Sequence, residues 1–276
     1  MRPLLVVEGI PARARAAAEA RGVVAGSALV CNAVRAIAPA LPCVVICAAD
    51  AGATLPAGTS LRDYCGVIIG GSNLHVYEPI PEVRRQLALV RAVGEAGLPI
   101  FGSCWGLQVA AVVAGGRVSR NERGREVGVA RKIVPTAAGM QHPLLAHKGA
   151  CYDALCIHYD DIDLPPTGCT VLARNSHSAV QAAVIPLGRS EVWGVQYHPE
   201  FDLRQVALLM ELYADDMIAQ RLYADRADLE AGIGKWRMLA ADPANAGIAW
   251  QLGLDDDTIN DDFRRLEIAN WLRQLG

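Results

Sequence analysis

Residues 99–115 read PIFGSCWGLQVAAVVAG, and this stretch decides the fold. A short apolar run leads into GSCWG (102–106), which is followed by an apolar helical run. This order is typical of a strand, a tight turn and a helix, with one side chain lifted above the carboxyl edge of a parallel sheet. The start of a helix favours a thiolate, so Cys104 is a candidate nucleophile. Taken alone, a cysteine between glycines at a strand end is more often a buried structural thiol.

Strand and helix patterns alternate on the N-terminal side of this stretch. Together with residues 99–102, the predicted strands are residues 4–7, 43–48 and 66–69. Helices are predicted at residues 12–20, at 27–37 with Ser27 as its cap, and at 81–96, which begins with proline. Strands that alternate with helices predict a parallel sheet covered by helices on both faces.

Closely spaced strand patterns follow Gly115. They predict an antiparallel or mixed edge on the parallel core, at residues 117–119, 127–134, 151–158, 171–173, 179–185 and 191–197. After Phe201 helical patterns take over, at residues 203–222, at 224–241 and in a last helix that ends near Leu275. We therefore expect an α/β domain over residues 1–202, with an open, mostly parallel sheet flanked by helices. A helical C-terminal extension over residues 203–276 should pack against it.

Composition argues against several classes of protein. The formal net charge is −3, so no nucleic acid is expected as a partner. Glu8 interrupts the apolar run at the N-terminus, and no stretch reaches membrane-spanning length. The eight cysteines lack zinc-type spacing and are interpreted mostly as core residues in a reducing cytosol, which predicts a cytoplasmic protein. The acidic run at residues 255–257 is interpreted as a helix start rather than a metal site, and no metal or cofactor is predicted.

Two further motifs place polar groups at predicted strand ends. GVQYHPEF (194–201) has His198 and Glu200 on either side of a proline. The fixed proline backbone lets the imidazole face Cys104 while the carboxylate sits behind it and holds its tautomer. IIGGS (68–72) places the Gly71 amide where it can face the same sulfur. Each motif has an ordinary alternative, because most such sequences are simple turns.

In this order, the three motifs resemble the signatures of class I glutamine amidotransferases. GGSNLHVYE resembles the oxyanion-hole loop of that family, PIFGSCWGLQ its nucleophile elbow, and GVQYHPEF its closing strand end. GREVGVARKIVPT and IHYDDIDLPPTGCTVLARN resemble the segments between them. The resemblance covers residues 3–202 and implies a flavodoxin-like amidotransferase fold. It is similar to the glutaminase domain of GMP synthase and to stand-alone γ-glutamyl peptidase-like members.

The resemblance implies a Cys-His-Glu triad. Cys104 is then expected to attack the side-chain amide carbon of glutamine and to form a γ-glutamyl thioester. His198 relays protons and Glu200 orients it. The backbone amides of Gly71 and Trp105 form the oxyanion hole.

A second group of residues is expected to hold the amino-acid end of the substrate. Gln108 matches the glutamine that follows the elbow in the family. His158, Tyr159 and Asp160 match the segment that cradles the same end. The bulky ring of Trp105 departs from many members and is expected to shape the mouth of the site.

Three functions remain open on the sequence alone. The first is a glutaminase that passes ammonia to a synthase on another chain, since the sequence has no P-loop or comparable nucleotide motif. The second is a γ-glutamyl peptidase or hydrolase acting on peptides or conjugates. The third is a non-catalytic regulatory protein on the same scaffold. The expected partner is a small-molecule substrate, with a synthase or a second copy of the chain as further candidates for the tail.

Overall fold

Strands and helices alternate through the first part of the chain in the computed structural model, which describes residues 2–275. The strands are β1 (Leu4–Glu8), β2 (Cys43–Cys47), β3 (Gly66–Ile69), β4 (Ile100–Ser103), β5 (Arg117–Arg120), β6 (Glu126–Pro135), β7 (Tyr152–His158), β8 (Asp160–Leu164), β9 (Thr170–Arg174), β10 (Ala182–Leu187) and β11 (Ser190–Val195). The helices are α1 (Ala12–Glu19), α2 (Gly26–Ile37), α3 (Pro81–Ala96), α4 (Trp105–Val113), α5 (Leu203–Leu212), α6 (Ala214–Ala219), α7 (Arg226–Ala241), α8 (Ala246–Leu252), α9 (Asp256–Ile259), α10 (Asp261–Arg264) and α11 (Leu266–Leu272).

A mixed sheet of nine strands forms the centre of the fold, in the order β2-β1-β3-β4-β11-β10-β9-β6-β7. The strands from β2 to β11 run parallel. From β11 to β7 each strand is antiparallel to its neighbour. The predicted α/β fold class with an antiparallel edge is therefore confirmed. The carboxyl ends of the parallel strands meet at one edge of the sheet, where such folds bind their ligands.

Burial of the central strands explains why helices cover both faces of the sheet. All five residues of β1, LLVVE, are buried. Leu5 and Val7 pack into a core with α3 and α4, whereas Leu4 and Val6 pack into a second core with α2. Successive side chains on a strand point to opposite faces, so one apolar strand contributes to two layers.

The start of α2 differs from the prediction, because Ser27 does not cap the helix. The helix begins after Ala25, and no side chain of its own caps it. The Ser27 amide instead donates to Glu8 Oε2 at 2.9 Å, and Glu8 Oε1 accepts from the Ile10 amide at 3.0 Å. A carboxylate from the end of β1 thus serves the helix N-terminus, where negative charge is favoured.

Three other element predictions are wrong in detail. The helix predicted at 203–222 is interrupted at Tyr213, between α5 and α6. The single last helix is three short ones, because Asp255 and Asn260 each accept hydrogen bonds from amides further along and start a new helix. The interpretation of residues 255–257 as a helix start is confirmed. β8 was not predicted, since its sequence DDIDL has little apolar alternation.

The C-terminal helices pack against the sheet region. Leu203, Trp236 and Ile248 share an apolar cluster with Val129 of β6 and Leu155 of β7. On the other side, the ring centroid of Trp271 in α11 lies 5.9 Å from that of Phe101 in β4. Trp250 is the exception among the tail tryptophans, with 82% of its surface exposed. The division of the chain at residue 202 stays a prediction.

The eight cysteines are all free, and only Cys104 and Cys156 are buried. The prediction that most are core residues is therefore wrong for Cys151, which is exposed. It holds only partly for Cys43 and Cys47, which are half-buried because β2 lies at the edge of the sheet. Among residues 2–275, no helix has both the length and the apolar character to cross a membrane.

Candidate active site

Cys104 lies at the turn between β4 and α4 and is only 5% exposed. Its backbone has φ 49° and ψ −98°, which a side-chain-bearing residue rarely adopts. Two glycines permit the turn. A Cβ on Gly102 would lie 2.6 Å from the backbone of Gly106, and one on Gly106 would lie 2.3 Å from the carbonyl oxygen of Ile69. The sequence therefore forms the predicted elbow by bringing strand and helix into close contact.

His198 and Glu200 follow the end of β11, next to β4, and both are almost fully buried. His198 Nδ1 lies 2.8 Å from Glu200 Oε1, and Ser103 Oγ donates to the same oxygen at 2.8 Å. The ring of Phe201 stacks on the imidazole, with centroids 3.9 Å apart and planes 4° apart. Cys104 and His198 line one cavity. Glu200 therefore occupies Nδ1 and leaves Nε2 of His198 for chemistry.

The electrostatic surroundings of His198 favour its charged form. Burial lowers the pKa of His198, but the Glu200 charge and the neighbouring Cys104 outweigh it and raise the pKa to about 10. An imidazolium at this position balances a thiolate on Cys104 and holds a proton for a leaving group.

Gly71 follows β3 and lies against the imidazole. A Cβ added to Gly71 would be 2.7 Å from His198 Cε1, so only glycine fits here without displacing the ring. Trp105 is the first residue of α4, and the helix itself does not use the amide of that position. The chain thus brings the two predicted oxyanion-hole residues to either side of Cys104, one next to it in sequence and one beside its histidine.

The Trp105 ring does not shape the mouth of the site, so that expectation is wrong. The ring is 1% exposed, and its Nε1 donates to Gln86 Oε1 at 2.7 Å. Gln86 belongs to α3 and is itself buried, so the interior supplies the polar partner that a buried indole requires.

The four residues predicted to hold the substrate's amino-acid end line the same cavity as Cys104: Gln108, His158, Tyr159 and Asp160. The empty space in and above this cavity is about 850 Å³, part of it open to solvent. The sequence-predicted site residues are thus brought together, although they come from α4, from β7 and β8, and from the segments after β3 and β11.

Asp160 is held by partners that the sequence left undecided. Its Oδ2 lies 2.6 Å from His75 Nδ1, and its Oδ1 accepts a hydrogen bond from Tyr77 at 3.3 Å. Its carbonyl oxygen accepts from Gln108 Nε2 at 2.9 Å. His75 and Tyr77 stack on each other with centroids 5.4 Å apart. These contacts fix a carboxylate at the cavity wall.

Behind the cavity, His158 is fixed by a buried acid that the sequence reasoning did not assign. His158 Nε2 lies 2.8 Å from Glu126 Oε2, which also accepts from Gln181 at 2.7 Å, while Glu126 Oε1 accepts from Asn175 at 2.7 Å. Burial raises the pKa of Glu126, but these hydrogen bonds and the His158 charge bring it below its usual value. The available signal was Glu126 in the middle of GREVG.

Two other contacts of the triad were missed as well. Gln196 Nε2 donates to Cys104 Sγ at 3.4 Å, and Gln196 is fully buried. Ser103 supports Glu200, as described above. Both residues lie next to a motif that was recognised, Gln196 two residues before His198 and Ser103 beside Cys104. Polar residues in otherwise apolar strands were the signal that could have identified them.

Comparison with known proteins places this geometry in a family. The model of the family "Glutamine amidotransferase class-I" matches residues 40–210. A γ-glutamyl-L-1-hydroxyisopropylamide hydrolase from a Pseudomonas species is 34% identical over 227 residues, or 80% of this chain and 75% of that protein. A GMP synthase from Thermomicrobium roseum is 38% identical over 136 residues, which is 49% of this chain but only 23% of that enzyme.

Solved structures share the whole architecture. A glutamine amidotransferase from Thermotoga maritima has a TM-score of 0.66 at 18% identity, covering 100% of this chain and 98% of that one. One from Methylobacillus flagellatus has a TM-score of 0.69 at 19% identity, covering 100% and 96%. At these identities the likeness concerns the fold. Taken with the family model and the Pseudomonas relative, it means that this chain belongs to the class I glutamine amidotransferase family.

Proposed function

We propose that this chain hydrolyses the γ-amide bond of a γ-glutamyl compound through a thioester on Cys104. The observation that carries the proposal is the arrangement of Cys104, His198 and Glu200 around one buried cavity at the carboxyl edge of the sheet. A strained elbow, a histidine with a raised pKa and a carboxylate on its far nitrogen are the parts of a nucleophilic triad.

In this mechanism the Cys104 thiolate attacks the γ-carbonyl carbon, and the amides of Gly71 and Trp105 stabilise the oxyanion. The C–N bond then breaks, and His198 gives its proton to the departing nitrogen. Water attacks the thioester and returns a proton to His198, which releases glutamate and restores the thiolate. Glu200 keeps His198 oriented throughout.

The amino-acid end of the substrate lies against the polar wall. The Asp160 carboxylate, held by His75 and Tyr77, is placed to pair with an α-ammonium group. Gln108 and the segment from His158 to Asp160 complete this end of the cavity.

Two substrate types fit this reaction. Glutamine itself gives ammonia, which a synthase partner takes up, and the similarity to GMP synthases favours this candidate. A γ-glutamyl conjugate gives an amine, and the Pseudomonas hydrolase favours this second candidate because its similarity extends over 80% of the chain. The third function open on the sequence, a non-catalytic regulator, has no observation in its favour.

The test is a panel of glutamine and γ-glutamyl amides, with glutamate release as the readout and a glutamine-analogue affinity label as a second probe. Wild-type protein should release glutamate and be labelled on Cys104. Cys104→Ala should do neither, whereas Cys156→Ala, which changes the other buried cysteine, should retain both. Turnover by folded Cys104→Ala, or failure of the folded wild type to act on any member, would contradict the proposal.

A further inference from the structure

The cavity beyond Cys104 has an apolar wall that the triad does not use. Val23, Val24, Phe201 and Leu209 line it. Phe201 and Leu209 belong with Val23 to the apolar cluster that joins α5 to the sheet. Val24 remains 38% exposed although it borders the cavity. Apolar surface kept open inside a binding cavity is available for an apolar part of a ligand.

The location of this wall identifies which part of the substrate reaches it. His198 must donate its proton to the departing nitrogen, so that nitrogen lies within hydrogen-bond reach of the imidazole. Phe201 stacks directly on the same imidazole. The polar residues that fit the amino-acid end are joined to one another through Asp160 instead. The apolar wall therefore borders the substituent on the leaving nitrogen.

A buried amide side chain keeps the wall in place. Gln205 of α5 is 3% exposed. Its Oε1 accepts from the Val24 amide at 3.1 Å, and its Nε2 donates to the Val24 carbonyl at 3.0 Å. The segment from Val23 to Val24 is thus clamped to α5 by a side chain that has no contact with the triad in the hydrogen-bond network described above.

The charged groups at the cavity are already paired, which disfavours an anionic leaving group. Arg125 is the guanidinium at this wall, and both its Nε and one terminal nitrogen contact Asp216, at 3.0 Å and 2.8 Å. It also lies over the rings of Tyr159 and Tyr213. Placing a carboxylate against this apolar wall would cost its hydration without supplying an unpaired cation.

We infer that this wall is a leaving-group subsite for an amine that carries a small uncharged apolar substituent, so that γ-glutamyl alkylamides are the preferred substrates. The inference rests on the proposed function and specifies its substrate. In the balanced reaction the γ-carbonyl C–N bond breaks, the alkylamine leaves with the His198 proton, and water supplies the hydroxyl of glutamate and the proton that His198 regains.

The test compares kcat/KM for γ-glutamyl isopropylamide, γ-glutamylalanine and glutamine. The first two differ by a methyl group in place of a carboxylate, and glutamine lacks the substituent altogether. Burial of the isopropyl group should raise kcat/KM on the order of tenfold over glutamine, and γ-glutamylalanine should be the poorer of the two substituted amides. Equal or better turnover of glutamine or γ-glutamylalanine overturns this inference but leaves γ-glutamyl hydrolysis standing. Turnover of none of the three overturns both.

Two variants locate the preference in the wall. Val24→Asp should lower the ratio of isopropylamide to glutamine turnover by about tenfold, because it places a charge beside the alkyl group. Val45→Asp changes an equally exposed valine on the edge strand β2 and should leave that ratio as in the wild type. Gln205→Leu, which releases the clamp, should raise KM for the isopropylamide more than it lowers kcat. An unchanged ratio in folded Val24→Asp contradicts the assignment.

Discussion

At the scale of single residues, one methyl group decides whether the catalytic imidazole keeps its place. Gly71→Ala would put a Cβ 2.7 Å from His198 Cε1, whereas the same change at Gly70 meets only Val30 Cγ2 at 3.8 Å. We expect Gly71→Ala to lower kcat on the order of 100-fold, because it shifts both the imidazole and an oxyanion donor. Steady-state kinetics of the two variants measures the difference.

The control is informative because Gly70 and Gly71 are adjacent and belong to the same motif. Gly70→Ala should stay within a few-fold of wild-type kcat, since its Cβ has ordinary packing room. Equal loss in both variants would mean that the loop as a whole, rather than contact with His198, sets the activity.

The raised pKa of His198 predicts a specific dependence of stability on pH. A folded-state pKa of about 10, above the unfolded value of about 6.5, means that the folded protein binds this proton more tightly. The contribution of His198 to stability is therefore complete below about pH 6.5 and is lost as the pH rises towards 10. Urea unfolding from pH 6 to 10 should show the free-energy gap between wild type and His198→Gln narrowing over this range.

Glu200→Gln tests the cause of that dependence. Removing the carboxylate removes the largest influence that raises the pKa of His198. The gap between Glu200→Gln and the double variant with His198→Gln should then vary much less with pH. A pH-dependent gap that survives this change would assign the effect to another group.

At the scale of elements, α2 depends on a carboxylate from β1. Glu8 is 1% exposed and accepts from the amides of Ser27 and Ile10. Glu8→Ala should lower the free energy of unfolding by about 1–3 kcal/mol, because both amides lose a charged acceptor in a buried place. Ser27→Ala, at the residue that the sequence pattern favoured as the cap, should stay within about 0.5 kcal/mol of wild type. Chemical denaturation of both variants checks this, and the reverse order of costs would contradict the assignment.

The elements that could be predicted are those whose local pattern agrees with their tertiary surroundings. The bounds of β3 and α3 match the prediction because an apolar strand between turns, or a proline start with regular apolar spacing, already specifies the element. Cys104, His198 and Glu200 were found for a related reason, since each lies in a short motif at a strand end. In each case the signal is contained within a few neighbouring residues.

The predictions that failed depended on contacts between residues distant in sequence. Nothing near Ser27 shows that Glu8 will cap its helix, 19 positions away. Nothing near Trp105 shows that Gln86 will take its ring into the interior. The pairing of Asp160 with His75 joins residues 85 positions apart, and Glu126 meets His158 across paired strands. Such contacts follow from the assembled fold, and local patterns contain no record of them.

At the scale of the whole molecule, the C-terminal helices contribute to both the core and the cavity. Leu209 and Gln205 of α5 build the cavity wall, while Trp271 of α11 packs on Phe101 in β4, directly before the elbow. Activity and docking of the tail should therefore be linked through the central sheet. A change that loosens α11 acts on the strand that carries Cys104.

The polar anchor of this docking is an ion pair buried between two parts of the chain. Lys148 Nζ lies 3.2 Å from Glu267 Oε1 in α11, with side-chain exposures of 1% and 0%, and it donates to the Phe263 carbonyl at 2.8 Å. Glu267 also accepts from Tyr197 at 2.6 Å. Each charge is removed from water, so the pair tolerates the loss of both charges better than the loss of one.

Lys148→Met keeps most of the side-chain volume but leaves the Glu267 carboxylate buried without its cation. We expect the free energy of unfolding to fall by about 3–5 kcal/mol. Adding Glu267→Gln should recover part of that loss, because the second change removes the uncompensated charge. Lys132→Met, at an exposed lysine, should stay within about 0.5 kcal/mol of wild type. Urea unfolding followed by tryptophan fluorescence measures all of these. If the double variant were less stable than Lys148→Met, the ion pair would not be what holds α11 against the sheet.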